Sequence, residues 1–132
     1  MVVEHANEGI VVTQDDYFKY ANPKAVKIFG CTVEELQSKP FTDFIHPDDR
    51  DFVRERHLRR LRGDSLPHFY LCRIIDKENT VRWLEINSVL MTWMGRPASL
   101  AFFNNVTERK RAEEMLQLLK AAIQQARDSI VI

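Results

Sequence analysis

The order in which β-rich and helical signals occur limits this chain's fold more than any other feature. Residues 9–14 and 17–20 are β-rich and flank the polar pair Asp15-Asp16, the pattern of a hairpin closed by a tight turn. Asn22-Pro23 then places a capping side chain before a proline suited to a first helical turn, and Ala25, Val26, Ile28 and Phe29 form a short apolar face ending at Gly30. Thr32 and Glu35 have capping-box spacing, predicting a second short helix to Ser38 before Pro40. His46-Pro47-Asp48-Asp49 predicts the start of a longer helix, with carboxylates where the helix dipole favours them, running to Arg62 and stopping at Gly63. Residues 69–75 and 81–86 are again β-rich around a turn in which Asn79 tolerates a left-handed conformation. The second run extends to Trp93, Gly95-Arg96-Pro97 predicts a turn, and residues 98–106 supply a fifth strand. Hairpins at both ends with helices grouped between them predict an α+β domain, a five-stranded antiparallel sheet with short helices on one face, and disfavour parallel βαβ winding.

Beyond this domain the chain turns helical, with Thr107 as the expected N-cap and Glu108 in the first turn. Ala112, Leu116, Leu119, Ile123 and Ala126 recur at alternating spacings of four and three, the period of a coiled-coil seam. So short a seam is marginal alone, and an amphipathic helix packed back on its own sheet would show the same pattern. Residues 124–132 echo residues 4–12, sharing Ala, Ile and Val and pairing Glu8 with Asp128. The expected organisation is therefore a domain over 1–106, a linker helix over 107–127, and the start of a second copy at 128–132.

Nineteen basic residues balance nineteen acidic ones over 132 residues, so no net field draws the chain to nucleic acid or an anionic membrane. No apolar run approaches the ~18 residues of a membrane span, and the first residues lack a signal-peptide pattern. Cys31 and Cys72 lack redox or zinc spacing and read as small apolar fillers in a reducing, cytoplasmic setting. Arg54, Arg56, Arg59, Arg60 and Arg62 crowd the end of the long helix, where cations suit the dipole; nucleic-acid binding would call for a broader basic patch interleaved with aromatics.

Five segments together resemble the PAS family with its C-terminal motif across residues 4–111. They are Asn22-Pro23, Gly30-Cys31-Thr32-Val33-Glu34-Glu35-Leu36, His46-Pro47-Asp48-Asp49-Arg50, Lys77-Glu78-Asn79-Thr80-Val81-Arg82-Trp83 and Asn105-Val106-Thr107-Glu108-Arg109-Lys110. The resemblance implies a PAS-like sheet whose helical face encloses a pocket or core, and signal transfer at the junction Asn105, Val106, Thr107, Glu108 and Arg109. Asn79 stands where the family commonly has Gly. Asn105 stands where it usually has Asp, so neutral hydrogen bonds are expected there in place of an ion pair.

The resemblance leaves the ligand open. Flavin-binding photosensors use a cysteine where this chain has Phe41, and their flavin-facing polar residues fall on Ile74, Leu84 and Phe103, whose side chains cannot hydrogen-bond. Haem-binding members place the ligating histidine where this chain has Phe52. His57, with Val53 and Leu61 one turn away on either side, reads as a partly buried structural residue. Flavin and haem are thus disfavoured, and no metal site is expected, since Asp48 and Asp49 are explained by the helix dipole and His46 and His68 by a helix start and a strand start. The candidate core or pocket residues are Phe29, Phe41, Phe52, Tyr70, Cys72, Ile74, Leu84, Ile86, Ala101 and Phe103, a lining that suits either a packed core or a small apolar ligand.

The expected function is a sensory and dimerisation module, a homodimer relaying its state through the linker helix to a following PAS domain and an output domain. A histidine kinase is the first choice of output and a diguanylate cyclase the alternative; a ligand-free scaffold for protein contacts is the other reading. Catalysis by His46, Asp48 and Asp49 is disfavoured because no nucleophile, activating base and oxyanion site assemble around them.

Overall fold

A computed structural model describes residues 7–67 and 69–130 of the chain. His68 and most of the echoed segment's ends, residues 4–6 and 131–132, lie outside the described residues. Strands β1 (Gly9–Gln14) and β2 (Tyr17–Ala21) form the first hairpin; Asp15 and Asp16 both take positive φ, of 56° and 67°, so the two aspartates make a tight turn of the sense that hairpin twist favours. Helix α1 (Pro23–Phe29) is capped by Asn22, whose side chain accepts from Ala25 N–H, and ends at left-handed Gly30. Helix α2 (Val33–Gln37) begins with the Thr32–Glu35 capping box. Two 3-10 turns, Phe41–Phe44 and Pro47–Asp49, lead into α3 (Arg50–Leu61). The helix expected from His46 therefore starts as a 3-10 turn and becomes α-helical at Arg50.

Strands β3 (Tyr70–Ile75), β4 (Val81–Trp93) and β5 (Arg96–Asn105) complete one antiparallel sheet of order β2-β1-β5-β4-β3. Asn79 takes the expected left-handed conformation, φ 64°. The β4–β5 turn differs from expectation: it is Met94-Gly95, both at positive φ, and Arg96 and Pro97 already belong to β5. Gln14 holds this end of the sheet by donating through Nε2 to the Trp93, Arg96 and Pro97 carbonyls.

The core lies between the helices and the inner sheet face, with Phe29, Leu36, Cys72, Ile74, Leu84 and Phe103 among its buried members. Helix α4 (Thr107–Asp128) leaves the end of β5. Every residue from Arg111 to Asp128 is exposed, so beyond its first turn this helix does not pack back on its own sheet. Among the described residues no helix is long and apolar enough to cross a membrane. Asp128 is the last helical residue, and Ser129 and Ile130 follow outside any strand.

Candidate functional site

Alternation along three adjacent strands aims Val11 and Thr13 of β1, Leu84, Ile86 and Ser88 of β4, and Ser99, Ala101 and Phe103 of β5 at the helical layer. Together with Phe18, Phe29, Phe41, Ile45, Val53, His57, Tyr70 and Ile74 they line a cavity of about 50 Å³. Edge-on aromatic pairs stiffen one side, Phe18 with Phe29 and Phe29 with Phe103 at 5.8 and 5.9 Å between ring centroids.

Eight of the ten expected core or pocket residues line this cavity: Phe29, Phe41, Tyr70, Ile74, Leu84, Ile86, Ala101 and Phe103. Cys72 is fully buried in the core without lining it; burial pushes its thiol up to about 12. Phe52 is a correction. It is 48% exposed and lies edge-on to Tyr70 on the outer surface of α3, because Val53 and His57, one turn apart, take the inward face.

Four polar lining residues, Thr13, His57, Ser88 and Ser99, were missed as site residues by a reading centred on apolar positions. Thr13, Ser88 and Ser99 each continue the two-residue period of an apolar neighbour, Val11, Ile86 and Ala101, which is the signal that locates them. His57 is 8% exposed, with its ring edge-on to Phe41 at 5.1 Å.

The second candidate element is the strand-to-helix junction. Thr107 is not the N-cap: it is the first helical residue, buried, and its hydroxyl accepts the Trp83 N–H of β4 at 2.9 Å while donating to Asn105 Oδ1. Asn105 Oδ1 also accepts the Thr107 N–H, so the helix entry depends on neutral hydrogen bonds. Val106 N–H donates to the Trp83 carbonyl at 2.8 Å, and Arg109 pairs with Glu85 at 3.0 Å. The Trp83 ring meets cations from two elements, Arg73 of β3 and Lys110 of α4, at 5.3 and 4.9 Å. Asp49 holds Arg73 through two oxygens, and the Arg73 guanidinium in turn keeps the Asp49 carboxyl below the usual carboxylate range. Glu108 is exposed. The seam residues Ala112, Leu116, Leu119, Ile123 and Ala126 are all exposed, as are Met115 and Leu118 beside them.

The pattern described as the PAS fold matches residues 18–104, more than half of the chain. The chain belongs to the PAS fold family. Curated relatives include the sensor histidine kinase TmoS of Ectopseudomonas mendocina, 26% identical over 94% of this chain and 13% of that protein. Sporulation kinase A of Bacillus subtilis is 22% identical over 88% of this chain and 19% of that protein. The chain thus spans less than a fifth of the length of either. Among solved structures, a sensory box histidine kinase/response regulator from Burkholderia thailandensis superposes with a TM-score of 0.68 at 23% identity, over 93% of this chain and 95% of that one. The PAS domain seen here is thus similar in sequence to a part of each of the two curated kinases.

Within the PAS domain the arginine cluster is largely paired. Arg54 meets Asp16, Arg59 and Arg62 share Asp64, and Arg56 lies 4.2 Å over the Tyr70 ring while donating to the Pro67 carbonyl. Burial lowers the His57 imidazole below its ordinary 6.5, with Arg54 adding to that shift and Asp16 opposing it. The unfolded chain takes up this proton at a higher pH than the folded one, so stability is unaffected above 6.5 and falls as pH drops from there through the folded-state value. Urea midpoints at about pH 8 and about pH 5 are expected to differ less in His57→Leu than in the wild type.

Proposed function

We propose that this chain is the sensory and dimerisation segment of a cytoplasmic sensor histidine kinase. The state of the core cavity sets the packing of β4 and β5, and through them the geometry of two paired α4 helices leading to a following PAS domain and the output domain. The observation that carries this reading is the position of Trp83. It immediately precedes Leu84 on β4, which lines the cavity, and its backbone holds both Val106 and Thr107 at the start of α4. A shift of β4 by the size of a methyl group would therefore reach the helix with no intervening loop to absorb it.

Pairing is supported by the exposed seam, whose Leu116, Leu119 and Ile123 are otherwise left in water. The outer sheet face adds an uncharged patch, with Tyr20, Leu100 and Val89 in register through the buried Val12 between them and Phe102 and Met91 beside them. A patch without charges meets its own copy without like-charge repulsion. The kinase names of both curated relatives support the choice of output. The cavity's largely apolar lining supports a small ligand, bound without metal or prosthetic group.

Sedimentation velocity of the whole chain is expected to show a reversible dimer that Leu119→Glu abolishes, since a carboxylate at a seam position would be buried without a partner. A wild-type chain that stays monomeric at millimolar concentration would count against paired helices.

A further inference from the structure

Strand β3 is an edge of the sheet, and part of its outer side is open. The Arg73 N–H donates to Asp49 and the Arg73 carbonyl accepts the His46 N–H, so this backbone aims away from β4. The β3–β4 register is regular from Tyr70 to Ile75, and alternate residues of an antiparallel ladder aim the same way, so the Leu71 N–H and carbonyl also face away from β4. Unlike those of Arg73, they meet no other segment among the described residues. Phe69 and Leu71 are exposed at this edge, as is Phe52 on α3 against Tyr70. Two cations stand over the same edge. Arg56 lies on the Tyr70 ring, and Arg60, one helical turn on, is close enough that both charges oppose the rise that burial gives the Tyr70 hydroxyl. The Nε of each is buried without a hydrogen-bond partner. Among the described residues Arg60 has no ion pair or hydrogen bond, and Arg56 meets only the Pro67 carbonyl and two aromatic rings, whereas Arg54, Arg59 and Arg62 are held by Asp16 and Asp64. Buried donors normally find partners, and a carboxylate answers a guanidinium best by taking two of its N–H groups together.

We propose that the open edge of β3 receives an extended segment of a partner protein in which acidic and apolar residues alternate, its backbone pairing with Leu71 and its carboxylates held by Arg56 and Arg60. The open backbone groups select a peptide, because only another strand offers a donor and an acceptor at the spacing of Leu71. The alternation follows from the pleat. Side chains of an added strand point as those of β3 do, so the one opposite Leu71 lies on the outer face beside an apolar neighbour. Those on either side of it point to the helical layer, where Tyr70 carries Arg56. The charge follows from the two guanidinium groups, which no carboxylate of the described residues answers. A nucleic-acid strand fits less well, since two free cations on a chain of zero net charge would meet few of its phosphates. Leu71, Arg56 and Arg60 do not line the cavity, so this surface stands apart from the sensory reading.

The test is an NMR titration of the whole chain, as wild type, Arg60→Gln and Arg60→Lys, with four probes: a short capped peptide of alternating Glu and Val, its counterpart with Gln in place of Glu, sodium succinate, and an oligothymidylate. The proposal expects the Glu/Val peptide to bind saturably, shifting the Leu71 amide and slowing its exchange. Binding should be about tenfold weaker for the Gln/Val peptide and in Arg60→Gln, with Arg60→Lys, which keeps the charge but not the fork of donors, in between. Unchanged shifts of buried core amides in the two variants report that the fold is kept. Succinate should bind far more weakly than the peptide and leave Leu71 exchange as it is. Four results would each overturn the proposal: no binding of the Glu/Val peptide to the wild type, binding indifferent to Arg60→Gln and to loss of the peptide's charge, binding that leaves Leu71 exchange unslowed, or succinate or oligothymidylate matching the peptide's affinity at this edge.

Discussion

Truncating Phe103 to alanine is expected to lower the folding free energy by about 3–5 kcal/mol, the cost typical of emptying a fully buried aromatic site. Phe103 is central for local reasons. It sits on β5 with its ring edge-on to Phe29, and across the strand pair it covers Gly9, where a Cβ would lie 2.3 Å from the ring. Gly9, its direct partner on β1, has no side chain to move into the space. The void would be continuous with the existing cavity, which Phe103 lines. Urea denaturation of Phe103→Ala should show the loss, and saturating benzene should restore part of it by binding the folded state alone. A loss below about 1 kcal/mol would mean that the sheet and helices collapse onto the gap, and that the cavity wall is softer than its aromatic packing implies.

Thr107→Val is expected to produce the second large effect, about 2–3 kcal/mol, from a nearly isosteric change. Valine keeps the buried volume but strands the Trp83 N–H and removes the hydroxyl that Asn105 accepts from. Amide exchange at the first turn of α4 and at Trp83 should accelerate together, while amides in α1 and α2 should be much less affected. Thr107→Ser, which retains the hydroxyl, should restore most of the protection. Equal exchange in Thr107→Val and wild type would show that the Val106–Trp83 backbone bond and the Arg109–Glu85 pair suffice to hold the helix.

Much of the fold was legible because its punctuation is local. Asn22 and Gly30 bound α1, Thr32 and Glu35 start α2, and Asn79 turns the β3–β4 hairpin, each through a contact or backbone angle within a few residues. The departures come from contacts distant in sequence. Thr107 followed by Glu108 has the look of an N-cap, yet its hydroxyl is engaged by a β4 amide 24 residues earlier and Asn105 serves the helix entry. Phe52 differs from its apolar neighbour Val53 only in which side of α3 meets the sheet, and that is fixed by tertiary packing. The apolar wall was recognised from strand alternation, whereas its polar members were passed over. A Ser or Thr continuing an apolar stripe has the same spacing whether it faces water or a cavity, and only the closing of α3 over the sheet distinguishes the two.

The central claim, that the cavity governs the geometry of paired output helices, is tested most directly by a distance measured between the two helices. Cys31 and Cys72 are buried, so a spin label on Glu114→Cys, at an exposed α4 position, reports the separation of the helices in a dimer. The account predicts one distance distribution in the free dimer and another, displaced by about 2 Å, when a small apolar probe such as xenon fills the cavity, with the displacement lost in Thr107→Val. A dimer whose α4 separation stays the same while NMR shows the cavity filled would contradict it.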